Sequence, residues 1–318
     1  MSKKVAIIII QCVFLICPIL WLVFKVDYES VAKALKSLSL YLIIFLIILN
    51  FIRFTLQSLR FWVLITPFSG KIKPLEFVIL DWKARYYAII MPSSAGQDIT
   101  RAFLLKKHLS MEEILAISIF FRVTGIIMFV FISMFGFFRL YSEQNISAAA
   151  ICIVIVLSAL CAVSTISLSE KATKKLLSML PKKTPKKIVS FLENFSQAIL
   201  LYKKFPKLVI FNLLFALILH ILYILFPIIS IYAICGEIKI IEIFTFIPLI
   251  EIFAAAVPFA PSGAGIREGL IILFFNIINQ TKEQAFSYIT LYTMSYLMPF
   301  FGFFVIVFEK MNKKRKNS

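Results

Sequence analysis

The chain reads Pro92-Ser93-Ser94-Ala95-Gly96 and, 169 residues later, Pro261-Ser262-Gly263-Ala264-Gly265. Four of the five positions are identical, and both stretches interrupt strongly apolar surroundings. Charge follows each one, Asp98 and Arg101 after the first, Arg267 and Glu268 after the second. An acid also stands about half a helix upstream of each, Asp81 and Glu251. Proline and clustered small residues break a membrane helix, and broken helices in corresponding halves of a chain point to a transport site. The pairing predicts two broken-helix hairpins in a chain that moves something across a bilayer.

Composition supports a membrane setting. The 318 residues are 61% apolar and include 34 phenylalanines, beyond the apolar share of a typical soluble domain. Four uncharged runs stand out: Val5–Phe24, Gln144–Ser169, Leu208–Gly236 and Gln284–Phe308. Each is long enough to span about 30 Å of hydrocarbon at about 1.5 Å per residue. The first follows Lys3 and Lys4, as a signal peptide would, but Trp21, Phe24 and Lys25 stand where a small-residue cleavage site belongs. It is expected to be a retained span.

A net charge of +18, from 34 Lys and Arg against 16 acids, would suggest nucleic acid in a soluble protein. The distribution points elsewhere. Ten lysines fall between Lys171 and Lys207 with only Glu170 and Glu193 near them, and the tail reads Lys310-Met-Asn-Lys-Lys-Arg-Lys316. Cytoplasmic loops of membrane proteins carry such an excess, and anionic lipid attracts it. No basic motif interleaved with aromatics is present, so no nucleic-acid partner is expected. The five cysteines (Cys12, Cys17, Cys152, Cys161, Cys235) lie in or at the ends of apolar runs without metal-ligand spacing. His108 and His220 have no partner at metal-binding distance in sequence. His220 is a candidate because it is ionisable and mid-run, although a neutral histidine bonded to a neighbouring helix fits as well. There is no Ser-His-Asp set, P-loop or nucleotide-binding glycine pattern. No catalytic residue, metal or cofactor is expected.

Basic residues orient the spans. Lys3 and Lys4 put the N-terminus inside; spans at Val5–Phe24 and about Leu40–Ile65 return the chain to Lys71 and Lys73. Glu76–His108 contains the first break yet ends at the basic Lys106-Lys107-His108, so it reads as a re-entrant hairpin of two half-helices. Spans at about Ile114–Phe138 and Ile146–Leu168 lead to the lysine-rich stretch. There, Val189, Leu192, Phe195 and Ile199 recur at helical spacing, and Ile188–Tyr202 is expected along the interface. A span at about Leu208–Cys235 goes out, Glu242–Asn279 starts and ends outside around the second break, and Gln284–Phe308 returns to the basic tail.

The expected fold is therefore an all-α polytopic membrane protein of about six full spans plus two oppositely oriented re-entrant hairpins forming an inverted repeat. If the half-helices cross fully, the count becomes eight to ten spans. Residues 1–318 form one integral membrane domain, with pseudo-repeat halves at about 40–140 and 205–309 and a basic cytoplasmic segment at 169–207. The expected location is the cytoplasmic membrane, with both termini on the cytoplasmic side.

The site residues follow from the breaks. The second half-helix of each hairpin begins after its glycine, so backbone N–H groups and a positive helix end suit phosphate or carboxylate. Gly96, Gly263 and Gly265 permit close approach, and Ser93, Ser94 and Ser262 add hydroxyl donors. Arg101 and Arg267 offer guanidinium forks for phosphate oxygens, with Asp98 and Glu268 placed to hold them in an empty site. Asn50, Arg53, Gln57 and Arg60, spaced three, four and three, share one helix face. Arg60, near the cytoplasmic end, could instead snorkel. Arg122 lies within a span and needs a partner, which Asp81 or Glu251 would supply. If the repeat holds, Ser94 and Gly263 lie near one another at mid-depth.

Four runs, taken in order, resemble the signatures of one family: Leu59-Arg60-Phe61-Trp62; Met91 through Gly96-Gln97-Asp98 and Arg101 to Lys106; Phe121-Arg122-Val-Thr-Gly125; and Pro258-Phe-Ala-Pro-Ser-Gly-Ala-Gly-Ile-Arg-Glu-Gly269. The chain is similar to the lysylphosphatidylglycerol synthase transmembrane family, flippase-like membrane proteins that include the membrane part of the multiple peptide resistance factor. In the commonest form of the first motif the glycine directly precedes an acid; here Gln97 intervenes. The resemblance implies roles for Gly96, Asp98, Arg101, Arg122, Gly263, Gly265, Arg267 and Glu268. It also implies a lipid flippase or scramblase whose cargo is an anionic, aminoacylated or polyprenyl-phosphate-linked lipid. The alternatives are lipid aminoacylation of the phosphatidylglycerol lysyltransferase type and a membrane scaffold for a glycosyltransferase. The first needs a tRNA-recognising domain that the longest cytoplasmic segment, about forty residues, does not provide. Expected partners are membrane lipid and a lipid-modifying enzyme or glycosyltransferase.

Overall fold

The computed structural model describes residues 38–89, 96–144, 186–256 and 265–317, with Glu29, Ala32 and Lys36 before them. The expected spans at Val5–Phe24 and Ile146–Leu168, most of the lysine-rich segment, and Ser93, Ser94, Ser262 and Gly263 lie outside the described residues. The expected approach of Ser94 to Gly263 lies outside them too.

The helices in chain order are α1 (Leu40–Ile65), α2 (Pro74–Ala88), α3 (Gly96–Leu105), α4 (Met111–Gln144), α5 (Lys186–Leu201), α6 (Pro206–Cys235), α7 (Ile240–Ala256), α8 (Ile266–Ile277), α9 (Lys282–Thr293) and α10 (Phe301–Asn317). Their ends follow local chemistry. Ser39 caps α1 by accepting from the Leu42 N–H at 3.2 Å, and prolines open α2 and α6, where a missing N–H costs nothing. Gly236, at φ 74°, closes α6 in the left-handed conformation that glycine tolerates. Two reciprocal capping boxes open the helices that follow the hairpins. Ser110 and Glu113 exchange bonds of 2.8 and 3.2 Å before α4, and Thr281 and Gln284 exchange bonds of 2.8 and 3.3 Å before α9.

Among the described residues, four helical stretches are long and apolar enough to cross a membrane: α1, Met111–Arg139 of α4, α6, and Lys282–Glu309. The protein is an all-α, multi-pass membrane protein. The last stretch is not one straight helix, as its unbroken hydropathy suggests. It passes through a 3₁₀ segment, Met294–Phe300, that contains Pro299; proline lacks the N–H that a continuous α-helix needs there. Helix α5 matches the helix expected at Ile188–Tyr202, but protein covers part of it. Ala198 and Ile199 pack with Ala116 and Phe68, and the hydroxyl of Tyr202, the residue just after α5, donates to the Leu64 carbonyl at 2.8 Å.

Helices α2 and α3 form one hairpin, and α7 and α8 the other. In the first, contacts pair Asp81 with Arg101 and Ala84 with Thr100, placing the limbs antiparallel. In the second, Glu251 pairs with Arg267 and Lys239 with the Ile278 carbonyl, again antiparallel. The second limbs have 10 and 12 residues and so rise about 15 and 18 Å, roughly half the hydrocarbon thickness.

The hairpins enter from opposite ends of α1 and α4. Along α1 the first hairpin climbs from the C-terminal end: Phe77 stacks on Phe61 at 5.6 Å, Ser58 bonds Asp81, and Arg85 bonds Gln57. Its apolar base (Phe77, Ala102, Leu105) packs with the C-terminal part of α1 (Phe61, Leu64, Ile65) and the N-terminal part of α4 (Ile114, Ile117, Phe120). The second hairpin packs Ile243, Ile247, Ile250, Phe274 and Phe275 with Leu46 and Leu49 of the N-terminal half of α1. On α4 it uses the C-terminal half, where Ser133 donates to the Thr245 carbonyl at 2.7 Å.

Two glycines let helices cross closely. A Cβ on Gly136 of α4 would lie 2.3 Å from Thr245 Oγ1 and 2.9 Å from backbone atoms of α7. A Cβ on Gly302 of α10 would lie 2.1 Å from the Trp82 carbonyl oxygen of α2. Each hairpin's first limb thus docks at a glycine supplied by the opposite half of the chain.

Candidate functional site

Asp81 is fully buried at the centre of the first hairpin. It accepts from Arg101 Nε at 2.5 Å, Ser58 Oγ at 2.5 Å, Arg85 Nε at 3.2 Å and Gln97 Nε2 at 3.2 Å. A buried carboxylate is tolerated only with such company. Arg101 also donates to Asp98 at 3.0 Å, and Asp98 binds Arg122 of α4 at 2.6 Å. The carboxylate that binds Arg122 is thus Asp98, where Asp81 or Glu251 was expected from sequence. Asp98, only 24 residues away, reaches it because α3 packs against the start of α4. The Arg122 side chain is 41% exposed, whereas those of Arg101 and Arg85 are 4% and 6% exposed.

The second hairpin has simpler chemistry. Arg267 binds Glu251 with both donors, Nε at 2.7 Å and Nη2 at 3.0 Å. Tyr292 of α9 donates to Glu251 at 3.3 Å, and Tyr223 of α6 lies 3.4 Å from the Tyr292 hydroxyl. Glu268 accepts from the N–H of Gly265 at 2.5 Å. The helix end expected to receive a ligand phosphate thus has a carboxylate of its own. Gly265 stands at φ 84°, where a side chain would be strained. Gly96 is buried as the first residue of α3, and its carbonyl accepts from Thr100 at 3.0 Å.

Helix α1 joins the two clusters. The Arg53 guanidinium lies 4.4 Å from the Phe54 ring and 4.9 Å from the Tyr223 ring, while Arg85 covers Phe54 at 4.8 Å. A contact row therefore runs from Arg122 through Asp98, Arg101, Asp81 and Arg85 to Phe54 and Arg53, then through Tyr223 and Tyr292 to Glu251 and Arg267. Arg53 Nη2 donates to Asn50 at 3.1 Å, and its Nε is buried without a hydrogen-bond partner. Cation–π contacts and one amide are its direct contacts, and the charges of Arg85 and Glu251 lie within electrostatic reach.

Arg60 has a different setting from the rest of its stripe. It is 2% exposed rather than snorkelling. It donates to Asn212 Oδ1 at 3.0 Å, the Phe121 carbonyl at 3.0 Å and Thr124 Oγ1 at 2.6 Å, tying α1 to α4 and α6. Gly125 lies beside it, and His220 Nε2 donates to the Gly125 carbonyl at 2.9 Å. His220 is thus the helix-bonded histidine that the sequence left open.

Sequence reasoning did not single out Arg85, Tyr223 or Tyr292. Arg85 could have been found, being four residues after Asp81 on a helix; the tyrosines carry no such signal. Among the described residues no group of acids, histidines and cysteines could hold a metal ion.

Residues 7–302 match the family described as Lysylphosphatidylglycerol synthase TM region. No curated protein and no solved structure matches the chain. The family points to a membrane lipid-related function. With nearly its whole length covered by that match, the chain belongs to the lysylphosphatidylglycerol synthase TM-region family.

Proposed function

We propose that the protein translocates a lipid with an anionic headgroup, aminoacylated or polyprenyl-phosphate-linked, across the cytoplasmic membrane in the manner of a flippase or scramblase. The observation that carries this reading is the polar row joining the two hairpins through Arg53. A charged headgroup in hydrocarbon costs several kcal/mol or more. A file of arginines, carboxylates and tyrosines reached from both ends of α1 offsets that cost along the path, while the acyl chains stay in lipid. The two hairpins, approaching from opposite ends, can open in alternation, with lipid gradients or removal of the cargo as driving force. A lipid-modifying enzyme or glycosyltransferase that makes or consumes the cargo is the fitting partner.

Purified protein in vesicles carrying fluorescent phospholipid should make inner-leaflet lipid accessible to a membrane-impermeant quencher. Arg122→Gln and Arg267→Gln should each lower that rate about tenfold or more, as loss of a charge-assisted contact predicts, while the protein still elutes as a folded species. Wild-type vesicles no faster than empty ones would sink the proposal. The same reading puts both termini, Lys73 and Lys107 on the cytoplasmic face and Lys282 opposite. Single cysteines at these positions, in a background without the five native ones, should label accordingly.

A further inference from the structure

Helices α2 and α10 meet along a seam that runs from Tyr86 and Phe300 to the close crossing of Trp82 and Gly302. Beyond the crossing the axes part, as helices packed at an angle do, and a cavity of about 410 Å³ opens between them. That volume lies within the roughly 300–1,000 Å³ of ordinary ligand sites. The lining includes Lys73, just before α2, then Glu76, Ile79, Leu80 and Lys83 of α2, and Glu309 of α10. Glu76, Ile79, Leu80 and Lys83 fall three, one and three residues apart, which puts them on one helix face. Lys83 Nζ donates to Glu309 Oε1 across the gap. Lys73 and Glu76 are exposed, and among the described residues neither has an ion-pair partner.

The cavity stands where apolar surface gives way to basic surface. On one side of it α10 exposes Phe300, Phe303, Phe304 and Phe308. On the other the chain reads Lys310-Met-Asn-Lys-Lys-Arg-Lys316. Such a change marks the border between hydrocarbon and lipid headgroups.

We propose that this cavity holds a resident zwitterionic phospholipid whose headgroup carries both a phosphate and a primary ammonium. The site lies apart from the polar row, and the inference does not depend on the translocation reading. Two lysines and two carboxylates line the cavity, so its formal charge is zero and matches a headgroup of no net charge. Lys73 and Glu76 set opposite charges side by side at the start of α2, as a phosphate and an ammonium two carbons apart require. Lys73 and Lys83 donate to the phosphate oxygens, and Glu76 and Glu309 accept from the ammonium. A headgroup with phosphate alone meets two carboxylates it cannot satisfy. A quaternary ammonium has no N–H to give them. The acyl chains lie on the exposed phenylalanines of α10. The lipid thus bridges α2 to α10 beyond the point where protein contact ends, and ties the first hairpin to the last helix.

The test titrates the full-length protein with phosphatidylethanolamine, phosphatidylcholine or phosphatidylglycerol of identical acyl chains and reads binding by native mass spectrometry. Phosphatidylethanolamine should bind about fivefold or more tighter than either of the others, the worth of one charge-assisted hydrogen bond. Lys73→Gln combined with Glu76→Gln, both at exposed positions, should erase that preference in a protein that still elutes as folded. Equal binding of phosphatidylcholine, or tighter binding of phosphatidylglycerol, overturns the inference. So does a preference that persists in the folded double variant. Should that variant fail to fold, wild-type protein is irradiated with phosphatidylethanolamine that carries a photoactivatable group near its glycerol. Crosslinks on α2 and α10 beside the cavity support the site, and crosslinks confined to other helices overturn it.

Discussion

The first hairpin surrounds Asp81 with two arginines, a serine and a glutamine and adds a second carboxylate, Asp98, that reaches out to α4. The second sets one carboxylate, Glu251, against Arg267 and completes the setting with tyrosines. The plan is common: an acid on the first limb binds an arginine on the second, at the same level of an antiparallel pair. The filling differs. Asp81 is 0% exposed and has four donor residues, whereas the Glu251 side chain is 15% exposed and has fewer fixed partners. Two hairpins that share this plan but differ in saturation should differ in how firmly each is held, the first more firmly than the second.

That contrast is tested most severely by removing each acid. Asp81→Asn leaves Arg85 without its carboxylate and weakens the hold on Arg101. It should cost about 3–5 kcal/mol, the usual penalty for breaking a buried pair, and most of the protein should be lost from the folded peak in detergent. Glu251→Gln keeps the tyrosine contact and should cost about 1.5–3 kcal/mol, the worth of hydrogen bonds to a charged group. Thermal melts of the two variants would reverse that order if Glu251→Gln proved the worse.

The next effect lies at the crossings. Gly302→Ala pushes a methyl against the backbone carbonyl of Trp82, which cannot swing away. Gly136→Ala meets the movable Thr245 hydroxyl first, though backbone atoms lie at 2.9 Å behind it. Overpacking of this kind costs about 1–3 kcal/mol, with Gly302→Ala expected at the upper end. Gly125→Ala is the control: its nearest neighbours lie at 3.6 Å, an ordinary contact, and stability should hold. Comparable melting temperatures for all three variants would show that the hairpins do not dock through these glycines.

Much of this plan was legible in the chain. The paired breaks predict two hairpins, which α2–α3 and α7–α8 form, and lysine bias predicts opposite orientations for them, in keeping with their packing at opposite ends of α1. Helix α1 runs over Leu40–Ile65 as hydropathy and flanking charge suggest. The three-four-three stripe does lie on one face, yet its members diverge: Arg60 is enclosed by α4 and α6, while Arg53 faces the two clusters. Periodicity places residues on a face but does not say which helix covers it. Partner choice was legible in part. Asp98 does hold Arg101, but its bond to Arg122 follows from the packing of α3 on α4, which spacing does not encode; Glu268 reaches the Gly265 N–H three residues back, the local geometry of a capping position. The break near Pro299 was hidden by hydropathy, which averages side-chain polarity and takes no account of a missing N–H. The capping boxes are written in the chain as Ser-x-x-Glu and Thr-x-x-Gln.

Those boxes give the finest test of the repeat. Ser110-Met-Glu-Glu113 opens α4 just after the first hairpin, and Thr281-Lys-Glu-Gln284 opens α9 just after the second. Each satisfies two backbone donors at the turn where the chain leaves a half-helix and starts a longer stretch. If the halves are structurally equivalent, Ser110→Ala and Thr281→Ala remove equivalent caps and should cost about 0.5–2 kcal/mol each. The acidic Glu113 side chain complements the positive end of α4, while the amide of Gln284 does so less. Ser110→Ala should therefore leave a residual contribution that salt screens, and Thr281→Ala should not. Melting each variant at low and high ionic strength separates the two. A salt-dependent loss at Thr281 and none at Ser110 would mean that the turns have different structures, and the correspondence between the halves would then stop at the hairpins.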